Sequence, residues 1–274
     1  MQRETVLVLV KTYPTLSKTY GELSCVAGIR EDGSWIRLYP IPFRRLKEEY
    51  RFEKYRWIEL PIEKNTRDSR PESYRPVDLS QIKQLQLVAT SNGWFDRKQL
   101  VLKKLVCYTD MTQLAAKAKQ NELSLALFKP TEVVDFIWEP VDKEWDRKKI
   151  EKVLADLSQG TLFNHDEFLE DFTIADKLPF KFCYIFKDSN GTQSKMMIED
   201  WEIGQLFRNC MRTANSENSA AEKVRQKYYD SFLSKTDLHL YIGTTRQWHG
   251  VAPNPFVIIG TFTPPKTTQM SFDF

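Results

Sequence analysis

The sequence predicts an α+β fold with a β-rich, barrel-like N-terminal module and a C-terminal α+β module. Short β-branched or alternating segments fill the first 62 residues, whereas helical and strand-like periods mix unevenly beyond them. That mixture lacks the regular strand–helix rhythm of a doubly wound sheet. The chain has 274 residues, 41 % of them hydrophobic, and a net charge of +3. Such a composition excludes disorder for most of its length.

Four N-terminal segments have the pattern of strands, namely residues 5–10, 22–30, 35–39 and 55–62. The first is apolar on both faces, which is typical of a buried central strand. Asp32 and Gly33 join the second and third as a hairpin, because this pair tolerates the positive φ of a tight turn. Pro40 should end the third strand, and the polar residues 63–75 should form an exposed loop.

Further along the chain, helical periods alternate with short strand-like segments. Helices are expected at residues 95–106, 112–120, 144–157, 200–212 and 220–233, and strands at 123–128, 131–138, 180–187, 194–198, 239–243 and 256–262. Asp200 is the expected N-cap of the fourth helix. These patterns divide the chain into a β-rich module at residues 1–140, an α+β module at 141–264 and a flexible tail at 265–274.

We expect neither a membrane-spanning nor a secretory segment. No apolar run approaches the roughly 20 residues that a spanning helix needs, and residues 1–4 lack the features of a signal peptide. We therefore expect a cytoplasmic protein without a membrane partner. The cysteines, Cys25, Cys107, Cys183 and Cys210, are far apart, which indicates reduced thiols rather than disulfides or a zinc site. No metal or cofactor motif is found, so none is expected.

Residues 35–57 combine seven aromatic and seven basic side chains with only three acidic ones. Cationic groups neutralise phosphates and aromatic rings stack on exposed bases, so this segment predicts contact with single-stranded or distorted nucleic acid. Arg37 shares a strand face with Trp35 and Tyr39, which is unusual for a core. The alternative is an aromatic core whose charges face solvent. The candidate nucleic-acid-binding residues are Trp35, Arg37, Tyr39, Arg44, Arg45, Arg51, Trp57 and Arg246.

Four residues are candidates for catalysis, namely His249, His239, Asp200 and Cys25. His249 lies with Arg246 in a loop of hydroxyls and glycines that is suited to a phosphate or a base, and a plain connecting loop is the alternative. His239 lies on the polar face of its strand. Asp200 is explained equally by helix capping, and Cys25 lies on the apolar face of its strand, as a buried small residue would.

The last six residues form a distinct motif, Gln269-Met270-Ser271-Phe272-Asp273-Phe274, after a Pro-Pro pair and a short spacer. This hexapeptide resembles the bacterial sliding-clamp-binding peptide, in which Gln is followed by aliphatic residues and a final Phe. Gln269, Met270 and Phe274 match that pattern, and Phe272 stands where leucine is usual. The resemblance implies that Gln269, Met270, Phe272 and Phe274 bind a clamp and that the protein is bacterial or phage-encoded and works on DNA. The alternative is a tail that packs on its own domain.

Three functions stay open at the level of the sequence. The first is a nucleic-acid-binding protein, for DNA rather than RNA, that acts in bacterial DNA metabolism, DNA modification or anti-phage defence. The second is an enzyme acting on a nucleobase or nucleotide, with a pocket formed by His239, Tyr241, Arg246, His249 and Asp200. The third is a partner-docking adaptor that uses the acidic residues 164–176. Residues 33–42 also suggest a small barrel of the kind found in modules that read RNA or DNA, an analogy of fold alone.

Overall fold

The computed structural model describes residues 2–17, 21–148, 150–151 and 175–266. The strands of the first half are β1 (Gln2–Lys11), β2 (Thr15–Ser17), β3 (Gly21–Ile29), β4 (Trp35–Ile41), β5 (Arg56–Lys64), β6 (Ser73–Pro76) and β7 (Lys83–Leu87). Short 3-10 helices lie at Phe43–Arg45, Glu48–Tyr50 and Leu79–Gln81. The helix α1 (Ser91–Leu102) follows β7, and its residues 92–94 have left-handed backbone angles.

The remaining elements alternate strands and helices. The strands are β8 (Cys107–Tyr108), β9 (Leu125–Phe128), β10 (Glu132–Pro140), β11 (Phe180–Lys187), β12 (Gln193–Met197), β13 (His239–Thr244) and β14 (Phe256–Phe262). The helices are α2 (Met111–Lys119), α3 (Trp201–Met211), α4 (Glu217–Arg225) and α5 (Phe232–Lys235), with a π-helical turn at Gln226–Ser231 before α5. Asp200 caps α3 as predicted, because its side chain accepts from the Glu202 amide.

Five strands of the N-terminal region close into a barrel. β1 pairs with β3 and with β5, β3 pairs with β4, and β6 lies between β4 and β5. The β4–β6 pairing is parallel and the other four are antiparallel. β2 and β7 extend this sheet by pairing with β3 and β5. The predicted barrel-like N-terminal module is therefore confirmed.

The two faces of β1 are buried in different cores. Val6 and Val8 face the inside of the barrel, whereas Leu7 and Leu9 pack in a second core that also contains Leu127 of β9. Both faces of the strand are therefore removed from water, which is why the segment is apolar at every position. The second core holds the barrel against the C-terminal region.

The C-terminal region contains two sheets and the helices α2 to α5. A three-stranded sheet has the order β10-β11-β12, and a four-stranded sheet has the order β14-β13-β9-β8. Side chains of α2, α3 and α4 share one core with both sheets. Two isolated bridges, Thr12 to Asp200 and Ile198 to Ile258, connect the barrel, α3 and β14. The predicted α+β class is therefore confirmed.

Two local predictions are wrong. Residues 63–75 are not simply an exposed loop, because they contain the start of β6, and Asn65, Asp68 and Arg70 are buried. β4 also continues through Pro40, which follows a cis peptide bond.

Parts of three predictions lie outside the described residues. They are most of the helix expected at 144–157, all but the end of the acidic segment 164–176, and the clamp-like hexapeptide 269–274. In the portion of the chain that the structure covers, no helix has the length and apolar character needed to cross a bilayer.

Candidate functional site

The middle of β4 places a positive charge at the junction between the barrel and the C-terminal region. Arg37 is only 3 % exposed. Its Nη1 lies 3.4 Å from Sγ of Cys25, and its Nη2 donates to the carbonyl and hydroxyl oxygens of Ser124, each at 3.1 Å. Among the described residues, no carboxylate forms an ion pair with this guanidinium. Burial lowers the pKa of Arg37, but arginine stays protonated in proteins, so a charge is buried here without a direct ion pair among the described residues. The Glu72 carboxylate acts on it by its charge and is linked to the guanidinium by hydrogen bonds through Ser124.

A second buried arginine is paired. Arg70 donates through Nε and Nη2 to the carboxylate of Asp68, at 2.9 and 2.7 Å, and through Nη1 to the Thr244 carbonyl oxygen. Asp68 also accepts from the Ser73 hydroxyl at 2.9 Å. Burial alone raises the pKa of Asp68, but its bonds to Arg70 and the charge of Arg70 outweigh this and lower the pKa to about 2. Arg70 therefore connects the segment 65–70 to the last residue of β13 by a hydrogen bond.

His249 anchors the loop after β13 through hydrogen bonds to Thr244 and Asn121. Its Nδ1 lies 3.0 Å from the Thr244 hydroxyl, its Nε2 lies 2.8 Å from Oδ1 of Asn121, and the Asn121 amide donates to the Ser69 carbonyl at 3.1 Å. Burial lowers the pKa of His249, which favours the neutral ring. Because both ring nitrogens have a partner within the chain, His249 positions the loop.

These contacts enclose a cleft, named here the arginine cleft, with an inner and an outer chamber. The inner chamber has a volume of about 290 Å³. Its apolar walls are Leu23, Val257 and Ile259, and its polar residues include Cys25, Arg37, Tyr39, Arg70, Glu199, Thr245 and Arg246. The structure thus brings together four predicted site residues from three distant segments: Cys25, Arg37, Tyr39 and Arg246.

The outer chamber is larger, at about 640 Å³, and more polar. Its lining includes Ser17, Asn65, Thr66, Arg67, Asp68, Arg75 and Arg246. Leu23, Tyr39 and Arg246 line both chambers, so the two adjoin. Together they present five arginines against two carboxylates, those of Asp68 and Glu199. The cleft therefore attracts anions.

Glu199, Thr245 and Tyr39 supply polar groups to the inner chamber. Glu199 lines the chamber, and burial raises the pKa of its carboxyl group. The Thr245 hydroxyl is buried and has no hydrogen-bond partner in the described part of the chain. Burial also raises the pKa of the Tyr39 hydroxyl, which keeps it protonated at neutral pH.

The other predicted nucleic-acid-binding residues do not line the arginine cleft. Trp35 packs edge-on against Tyr241, with ring centres 6.0 Å apart, and Trp57 packs in the core between the barrel and the C-terminal region. Arg44 pairs with the buried Glu22 at 2.8 Å, and Arg51 donates to the Arg44 carbonyl at 2.9 Å. Arg45 ends the 3-10 helix Phe43–Arg45 and is half-buried. That these five residues contact nucleic acid stays a prediction.

The other predicted catalytic residues lie in separate surroundings. His239 is 3 % exposed, and its Nδ1 lies 2.9 Å from the Asp237 carbonyl oxygen. Asp200 is fully buried, its carboxylate lies 3.9 Å from the Lys54 ammonium, and burial raises its pKa to about 7. Neither lines the arginine cleft, nor does His249, and within the described ranges the three have different hydrogen-bond partners. No acid–base pair is assembled from them in the cleft.

Sequence reasoning missed most of the charged lining. Arg67, Asp68, Arg70 and Arg75 lie in the segment expected to be an exposed loop, and Glu199, next to Asp200, is not among the candidate site residues predicted from the sequence. The available signal was the arginine content of residues 67–75, which is three in nine. Within the described ranges, no cluster of three or more His, Cys, Asp or Glu side chains is suited to a metal ion.

Comparison with known proteins gives two family matches. Residues 2–103 match the domain of unknown function DUF8758, and residues 107–274 match the domain of unknown function DUF8757. No curated protein matches the chain. A solved structure of a murine DNA-binding protein bound to double-stranded DNA aligns over 98 % of both chains, at 8 % identity and a TM-score of 0.29. A similarity this low transfers neither fold nor function.

Proposed function

The chain belongs to the DUF8757 family, and we propose that it binds nucleic acid, with one strand held in the arginine cleft. The observation that carries this proposal is the buried charge of Arg37, which has no carboxylate partner among the described residues. Removing a charge from water costs several kcal/mol unless an opposite charge compensates it. A phosphodiester backbone supplies anions at regular spacing, and phosphates in the outer chamber would offset the charge of Arg37 in the adjoining inner chamber.

The remaining charges of the cleft support a polyanionic ligand. Arg67 and Arg246 are exposed and have no carboxylate partner in the part of the chain described, and Arg75 is exposed beside Glu63. Guanidinium groups bind phosphate oxygens through paired N–H donors. Exposed cations at the mouth and a buried cation within form a gradient of positive charge into the cleft.

The concave shape favours a single strand or a locally opened duplex. Duplex DNA is read by a helix or ribbon that projects into a groove, whereas here the candidate groups line a cavity. Single strands are held in basic grooves with aromatic side chains for base stacking, and Tyr39 lies where the two chambers meet. DNA rather than RNA, and a role in bacterial DNA metabolism, modification or defence, are proposed on the clamp-like motif alone.

Binding titrations with a labelled single strand, the matching duplex and the RNA equivalent test this proposal at two salt concentrations. We expect the single strand to bind more tightly than the duplex, with an affinity that falls as salt rises. Arg67→Glu and Arg246→Glu should each weaken binding about tenfold or more and lower the salt dependence. Arg212→Glu reverses an exposed charge outside the cleft and is the matched control.

Two results would overturn the proposal. One is the absence of salt-dependent binding to all three nucleic acids. The other is an equal loss of affinity in Arg212→Glu and the two cleft variants, since binding would then reflect net charge alone. Thermal unfolding of each variant separates a loss of binding from a loss of fold.

A further inference from the structure

We propose that the inner chamber is a nucleobase pocket, which takes one unpaired base while the phosphates stay in the outer chamber. This inference rests on the proposed function and adds the orientation of the bound strand. It follows from the different chemistry of the two adjoining chambers.

The inner chamber combines apolar walls with a few polar groups. Leu23, Val257 and Ile259 form the apolar part, and the outer chamber shares only Leu23 with them. Pockets of this composition bind flat, largely apolar ligands and fix their orientation with a small number of hydrogen bonds. A phosphate group is poorly suited to such walls, because it would lose its hydration against apolar side chains.

The polar groups of the inner chamber match the edge of a base. Arg37 supplies N–H donors, Glu199 supplies a carboxyl group, and Thr245 supplies the hydroxyl that has no partner within the described ranges. A base edge carries donors and acceptors side by side, so it needs a mixed set of this kind. Glu199 would repel a phosphate when ionised, whereas its carboxyl group can hydrogen-bond to a base edge in either protonation state. Burial raises its pKa.

The residues shared by both chambers link a base to its backbone. Tyr39 has an aromatic ring for stacking, and Arg246, on the exposed loop after β13, is available to a phosphate. The volume of about 290 Å³ is at the low end for a small-molecule pocket and suits a single base rather than a base pair. A base held in this way must be unpaired and unstacked, as in proteins that extrude a base from a strand.

The probes for this test are the four 5′-deoxymononucleotides, their nucleosides, ribose 5-phosphate and inorganic phosphate. Calorimetry with the full chain should detect binding of at least one mononucleotide and its nucleoside, and no binding of ribose 5-phosphate or phosphate at the same concentrations. Glu199→Gln and Thr245→Val should change mononucleotide affinity by several-fold, up to about tenfold, the range for one lost hydrogen bond. Both should leave the salt dependence of oligonucleotide binding unchanged.

Two further variants complete the design. Arg67→Glu should weaken oligonucleotide binding and leave nucleoside binding intact, because Arg67 lines only the outer chamber. Glu202→Gln alters a carboxylate that does not line the inner chamber. It should change neither nucleoside binding nor oligonucleotide binding. Unfolding temperatures of all variants report on the fold.

The outcomes distinguish the two proposals. If phosphate or ribose 5-phosphate binds as well as the mononucleotides, the inner chamber is an anion site and the base pocket is wrong. If oligonucleotides bind but nucleosides do not, and Glu199→Gln has no effect, the base pocket is wrong while nucleic-acid binding stands. If no oligonucleotide binds, the proposed function itself is wrong.

Discussion

Arg37 of β4 and Ser124, the residue before β9, are joined by two hydrogen bonds of 3.1 Å from one guanidinium nitrogen. Glu72 accepts from the Ser124 amide at 2.8 Å and from its hydroxyl at 2.6 Å, so the serine lies between the arginine and a carboxylate. The Arg37 amide donates to the Glu72 carbonyl at 2.8 Å. The Arg37 guanidinium is therefore positioned by a residue that lies 87 positions away in sequence.

Ser124→Ala should lower the free energy of unfolding by about 1–3 kcal/mol, because it removes the hydroxyl between the buried Arg37 and the half-buried Glu72. Urea unfolding monitored by tryptophan fluorescence measures this change. Ser69→Ala is the control, since Ser69 is exposed and its carbonyl oxygen, which the substitution keeps, accepts from Asn121. Equal stability of the two variants would contradict the role given to Ser124.

The pair Asp68–Arg70 predicts a loss of stability in acid. The folded-state pKa of Asp68 is about 2, below its ordinary value of 3.8, because Arg70 stabilises the carboxylate. Between these values the unfolded chain binds more protons than the folded one, so stability falls as pH drops from about 4 to 2. Asp68→Asn should flatten this part of a plot of urea midpoint against pH, whereas Asp96→Asn, on the exposed surface, should not.

Much of the fold could be predicted because its signals are local. The alternation of residues 22–30, the Asp32-Gly33 turn and the return strand correspond to the paired strands β3 and β4. The capping role of Asp200 depends only on the first residues of α3 and was also predictable. The apolar character of β1 indicated burial on both faces, which the barrel and the C-terminal region provide together.

Most of the cleft could not be predicted, because its lining residues come from segments that are far apart in sequence. Charged pairs elsewhere in the fold are also distant in sequence. Lys54 donates to Glu202 across 148 residues at 2.8 Å, and Arg44 pairs with Glu22. Lys54 and Arg44 of the basic segment 35–57 therefore have partners within the chain. Conversely, Asp68 and Arg70 belong to the hydrophilic segment 63–75 but are buried, because they form an ion pair with each other. The hydropathy of the segment does not reveal this pairing.

The clamp-like hexapeptide supports a prediction that is independent of the cleft. Deleting residues 269–274 should abolish association with a bacterial sliding clamp, because the apolar anchors Met270, Phe272 and Phe274 are lost. Affinity for single-stranded nucleic acid and the unfolding temperature should stay unchanged. Gel filtration with a purified clamp is the measurement, and Asp273→Ala, at a position the pattern leaves free, is the control. A deletion that unfolds the protein would show that the segment is structural.

Gly28 is predicted to be essential for closing the barrel. A Cβ atom at this position would lie 2.1 Å from the Leu7 carbonyl oxygen and 2.8 Å from Cγ1 of Val6. Gly28→Ala should cost about 3 kcal/mol or more, since the backbone of β1 would have to move. Gly250→Ala has open space around it but a positive φ, so it should cost only about 1–2 kcal/mol. Similar urea midpoints for the two variants would show that β1 and β3 adjust freely.

Asp200 predicts the opposite pH dependence from Asp68. It is buried near Lys54, Glu202 and Lys11, but the Lys54 ammonium lies closer to Glu202, at 2.8 Å, than to Asp200, at 3.9 Å. Burial therefore dominates and raises the folded-state pKa of Asp200 to about 7 from 3.8. Between these values the folded chain holds a proton that the unfolded chain has released, so stability falls as pH rises from about 4 to 7.

Asp200→Asn should remove this decline in the plot of urea midpoint against pH, because asparagine does not titrate. It should also retain the α3 cap, since its side-chain oxygen can still accept from the Glu202 amide, as Asp200 does at 3.2 Å. Asp200→Ala is the matched variant: it loses the cap as well and should be less stable than Asp200→Asn by about 1 kcal/mol across the whole range. An unchanged decline between pH 4 and 7 in Asp200→Asn would assign the titration to another group.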